Sequence, residues 1–144
     1  MPLFQNQSRD DLRRMYVDAW RKYRERTVLE PLEAQIAQVI VEHPEYHALL
    51  EDSDAALSRD FTPESGQSNP FLHMSLHLTV RDQVATDRPA GIRAAYEALA
   101  RRRDPHAVEH AIVEHLAEAL WQAQRDGTPP NEQVYLRRVQ KLAR

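Results

Sequence analysis

The sequence predicts an all-α protein, a single-domain helical bundle of about six helices spanning residues 1–144. Three observations predict it. Apolar residues recur at helical spacing along most of the chain, cap-and-proline signals separate those stretches, and no stretch alternates apolar with polar as a half-buried strand does. A chain of 144 residues is long enough to bury a core without disulfides or a structural metal.

The first helix begins at Ser8, with Asp11 three residues on, and carries Leu12, Met15, Tyr16, Ala19, Trp20 and Tyr23 at spacings of three and four. After Thr27 a second stripe follows, Leu32, Ile36, Val39 and Ile40, with Pro31 in its first turn and Pro44 as its stop. A short helical turn is expected over 45–51. Residues 52–68 show no period and collect Asp, Ser, Thr, Pro and Gly, so they read as a long flexible loop, pinned by Phe61 and placed to serve as a lid. Asn69-Pro70 opens a strongly apolar helix to about Ala85, and Thr86-Asp87 is expected to cap the next, with Ile92, Ala95, Tyr96 and Leu99. Asp104-Pro105 starts the longest helix, about 105–126, which Gly127 ends; Asn131 leads into a last one with Tyr135, Val139 and Leu142. Trp20 and Trp121 read as core anchors.

Composition narrows the function. The chain is 42% hydrophobic and 28% charged with a formal net charge of -3, the balance of a globular protein. No apolar run approaches the roughly 20 residues of a membrane span, and the start, Met1 to Gln7, lacks the basic and apolar regions of a secretory signal. A cytoplasmic protein with no membrane partner is expected. The near-neutral charge argues against a nucleic-acid binder, since the runs Arg101-Arg102-Arg103 and Arg137-Arg138 fall where they complement helix C-terminal dipoles. With no cysteine, thiolate nucleophiles, iron–sulfur clusters and cysteine zinc sites are excluded. Three glycines, Gly66, Gly91 and Gly127, are too few for a phosphate-cradling loop.

The strongest functional signal is histidine. Among the seven, three pairs stand four residues apart, where random scatter would give about 0.3. Pro44 takes His43 out of helical geometry, so the pair His43 and His47 is set aside. His73 and His77 lie on the line of Leu76, Val80 and Val84 and point into the core. His106 and His110 lie on the margin of the apolar arc of the long helix and are expected to be half buried, with Glu114 continuing their row. Imidazoles four apart on a helix can share one ion, and a second helix can complete the shell. The expected ligands are therefore His73, His77, His106, His110 and Glu114, and the expected cofactor a transition metal, zinc or iron, rather than calcium or magnesium. Glu45, Glu109 and Glu118 are reserve carboxylates, and a haem held by one histidine from each helix stays open. The competing reading is a metal-free interaction module, binding a protein partner or a second copy of itself, whose core histidines satisfy one another. Ser75 lies about 160° around the helix from His73, which disfavours a hydrolase triad, and Arg81 reads as exposed or salt-bridged.

Several of these residues carry a likeness to a known family: Asn69-Pro70-Phe71-Leu72-His73, His77-Leu78, His106, Glu109-His110 and the run from Leu116 to Arg125. In these the chain resembles domain of unknown function family 1841, a bacterial family of small uncharacterised proteins. The resemblance covers nearly the whole chain, best from about Asn69 to Gly127, and implies a bacterial cytosolic helical protein. It brings no activity with it, so the functional expectation rests on the histidines: a metal-binding protein, with catalysis open.

Overall fold

A computed structural model of the chain describes residues 8–61 and 69–144. Among these it contains eight α-helices, one 3-10 turn and no strand. The chain divides into two compact units, one running to Leu78 and the other from Thr79 to Arg144. The division falls inside a continuous helix, with no linker to mark it, which is why the sequence reads as one bundle.

In the first unit, α1 spans Arg9–Arg24, α2 Pro31–Val41, α3 His47–Leu50 and α4 Ser53–Ser58. Each start has a chemical cause. The Ser8 hydroxyl accepts from the Asp11 N–H, and the Glu33 carboxylate accepts from the Glu30 N–H ahead of Pro31. Pro44 cannot continue α2, so the chain turns through a 3-10 segment, Pro44–Tyr46, into α3. The core joins Tyr16, Ala19 and Trp20 of α1 to Ile36, Val39 and Ile40 of α2, with Leu50, Ala56, Phe71, Met74 and Leu78.

Helix α4 corrects the expectation of a loop over 52–68, and with α3 it raises the helix count above six. Asp52 caps it, its side chain accepting from the Ala55 N–H at 3.1 Å. Arg13 holds it from α1. That buried guanidinium donates to the carbonyls of Ala56 and Arg59 at 3.0 and 2.7 Å and lies over the rings of Phe71 and Phe61. A six-residue helix fixed by a neighbour leaves no period in its own sequence. Phe61 does pack against the core, as expected; the remainder of the expected loop and its lid role, residues 62–68, lie outside the described residues.

Helix α5, Pro70–Thr86, is capped by the Asn69 side chain, which accepts from the N–H groups of Phe71 and Leu72. In the second unit α6 spans Ile92–Ala100, α7 Pro105–Asp126 and α8 Glu132–Leu142, and the three pack on one another. Asp104 and Asn131 cap α7 and α8 as expected, and Gly127, at a φ of 65°, ends α7. Helix α6 starts later than expected: Asp87 accepts from the N–H groups of Gly91 and Arg93 across a turn, rather than opening the helix itself. Trp20 is buried, but Trp121 is 58% exposed, with Arg125 stacked on its ring. It shares its helical face with Glu114 and Glu118, and that face is turned to solvent. Among the described residues no helix is long and apolar enough to cross a membrane.

One acid-sensitive contact joins α1 to α2. The Lys22 ammonium, 2.7 Å from Glu33, holds that carboxyl below its ordinary value, helped by the Glu30 N–H. A carboxyl whose pKa is lower folded than unfolded stabilises the fold above the unfolded value, and loses that contribution as pH falls through the folded one. Glu33→Gln is expected to be less stable than wild type near neutrality and to converge with it in acid, measured as urea midpoints between pH 7 and pH 3.

Candidate metal centre

Three imidazoles meet in the first unit. Their potential ligand nitrogens, one each from His43, His73 and His77, all lie within 4.8 Å of one another. His77 is fully buried, His43 nearly so and His73 half-buried. The rings of His43 and His77 are 4.9 Å apart between centroids, those of His43 and His73 5.2 Å, and those of His73 and His77 4.7 Å.

His73 and His77 come from successive turns of α5, where the four-residue spacing stacks side chains on one face. Their Nε2 atoms stand 3.2 Å apart. Two nitrogens on one tetrahedral ion, at metal–nitrogen distances of about 2.0–2.1 Å, are separated by about 3.3–3.4 Å, so this pair already has close to a chelating separation. The same distance suits a hydrogen bond between one protonated and one unprotonated nitrogen.

His43 corrects the sequence reading that set it aside. It follows α2 with φ -127° and ψ 67°, so Pro44 does take it out of helical geometry. That departure leaves its ring against α5 instead of continuing the α2 surface. Its Nδ1 is 2.8 Å from the Val39 carbonyl, which can only accept, so Nδ1 carries a proton and donates it there. A backbone carbonyl that fixes the tautomer and orients the ring is a common support behind a metal-bound histidine. Tyr46 stacks on His43 at 5.6 Å and meets His73 edge-on. Burial, with the Glu45 charge, raises the Tyr46 phenol above its ordinary value and keeps it protonated. His47 stays apart from this group. Its Nε2 donates to the Ile40 carbonyl at 2.7 Å and its ring lies against Trp20.

The other expected ligands, His106, His110 and Glu114, lie on α7 in the second unit. There His110 is half-buried, as expected, with its Nδ1 3.8 Å from Glu114, while His106 and Glu114 are exposed. His106 is the second residue of α7, too close to the helix start for its face to be covered. Of the reserve carboxylates, Glu109 is buried and ion-paired with Arg81, its two oxygens sharing the Nε–H at 3.1 and 3.0 Å. Glu45 and Glu118 are exposed. The Ser75 hydroxyl is hydrogen-bonded to Tyr16 at 2.7 Å, and burial raises the Tyr16 phenol against the opposing pull of that bond.

The missed residue had a signal. His43 stands four before His47 and directly before a proline, so its ring had to leave the helix surface, but nothing local says toward what. No curated protein and no solved structure matches the chain. A family model does, over residues 8–141 of the 144: the chain belongs to the family described as Domain of unknown function (DUF1841).

Proposed function

We propose that the protein binds one transition-metal ion through His43, His73 and His77. The observation that carries this reading is the convergence of three imidazole nitrogens within 4.8 Å, two of their rings buried. The orientation of His43 by Val39 supports it, because a backbone carbonyl behind Nδ1 is a common support of a histidine that coordinates through Nε2. Imidazole donors suit zinc, copper, iron and nickel. Zinc, which is commonly held by histidine nitrogens, is the ion expected first. His106, His110 and Glu114, on α7 of the second unit, are the remaining expected ligands, and the metal content of their alanine variants tests whether any of them contributes.

A metal-free centre is the second reading, favoured by the 3.2 Å contact of His73 with His77, in which one ring nitrogen satisfies the other. Calorimetric titration of metal-stripped protein with zinc distinguishes the two. One ion per chain is expected, with affinity falling as pH falls because protons compete for the same nitrogens. Absence of heat and of any zinc retained after gel filtration would favour the metal-free centre.

A further inference from the structure

We propose that the exposed face of α7 is a docking surface for a second copy of this chain, the two α7 helices pairing antiparallel about Trp121. The proposal does not rest on the histidine site.

One face of α7 is buried through Ile112, Leu116 and Ala123. The face turned away from these carries Leu120 and Trp121, which are 39% and 58% exposed. Two large apolar side chains in succession leave area in water that a partner covers with gain, and tryptophan and arginine are the types enriched where protein surfaces meet. Here the two occur together, the Arg125 guanidinium standing 4.9 Å from the centroid of the Trp121 ring. That stack orients the indole before any partner arrives, so less side-chain freedom is lost on docking.

Charge selects the partner. Glu114, Glu118 and Arg125 border the apolar pair along one edge of the helix and are exposed. Glu118 and Arg125 stand seven residues apart, close to two turns or about 10.5 Å, and so share one flank. A surface carrying both signs does not suit a nucleic acid or an anionic membrane, which call for cations. A second α7 running antiparallel does suit it, because equal flanks of two identical helices then meet. With the two-fold axis at the level of Trp121, Glu118 of each copy lies beside Arg125 of the other and the two indoles meet at the axis. A parallel pairing would set Glu118 against Glu118 and Arg125 against Arg125. The contacts these charges make within the chain are local and exposed, Glu118 with Gln122 and Arg125 with Asp126, and exposed contacts of this kind exchange at little cost.

Sedimentation velocity of the full-length protein is expected to show a concentration-dependent equilibrium of monomer and dimer. Trp121→Ala is expected to weaken the dimer about thirtyfold, the loss typical of an interfacial hot spot. Glu118→Arg and Arg125→Glu each bring like charges together across the axis, and each is expected to be monomeric alone. An equimolar mixture of these two variants restores opposite charges at both contacts and is expected to dimerise. Wild-type protein that stays monomeric at millimolar concentration overturns the proposal. A dimer left intact by Trp121→Ala and Glu118→Arg also overturns it, because the interface then lies elsewhere, as does a mixture of the two charge variants that remains monomeric.

Discussion

Glu109→Ala is expected to destabilise the protein by about 2–3 kcal/mol, measured as a shift of the urea midpoint with an unchanged slope. Glu109 is 8% exposed on α7; its two carboxylate oxygens share the Arg81 Nε–H, and Oε1 also lies 2.9 Å from Arg81 Nη2. Deleting one member of such a pair leaves a part-buried guanidinium that has lost this acceptor, which is the costly way to break it. The Arg81 side chain is 29% exposed, so solvent recovers part of the loss and the effect falls below the roughly 3–5 kcal/mol of a fully buried pair. Replacing both at once, Arg81→Met with Glu109→Leu, should cost less than Glu109→Ala alone, because no charge is then stranded. A double variant as unstable as the sum of its single changes would show that packing around α5 and α7, not the ion pair, is at stake.

His77→Ala is expected to abolish stabilisation by zinc. A ligand that binds only the native state stabilises it by about 2.7 kcal/mol when present at a hundred times its Kd, a rise in Tm on the order of 10 °C for a chain of this size. Wild-type protein should show that rise in a thermal melt, and His77→Ala should not. The metal-free variant should also melt below metal-free wild type, since its ring is fully buried and its removal leaves both a cavity and the His73 Nε2 without its 3.2 Å neighbour. His115→Ala, on α7, is expected to keep the full response to zinc and serves as the control.

Much of the helical framework was legible because its signals are local. Ser8, Asn69, Asp104 and Asn131 each announce a helix by a side chain that accepts from a backbone N–H two or three residues on, and each does so here. What escaped was decided at a distance. Helix α4 owes its place to Arg13, more than forty residues earlier in the chain, as the separations of its two hydrogen bonds show. Trp121 looked like a core residue from its type, yet the face it occupies carries Glu114 and Glu118 and is exposed. The candidate site divided along the same line. His73 and His77 announce themselves by their spacing on α5, whereas His43 reaches them only through tertiary packing, by a ring that Pro44 removes from α2 and Val39 orients. Helical spacing governs ligands that share one helix, and it has no reach over a residue that works between two segments.

The metal content of the purified protein tests the central claim most directly. Protein prepared without a histidine tag or chelator, and measured by elemental analysis alongside His43→Ala, His77→Ala and His115→Ala, should carry close to one zinc per chain in wild type and His115→Ala. His43→Ala and His77→Ala should carry almost none. Loss in His43→Ala is the sharpest outcome, since that residue enters the site through the fold and not through helical spacing. Wild-type protein that holds no transition metal, and gains none on incubation with zinc, copper, nickel or iron, would contradict the account and leave the three histidines as a structural cluster.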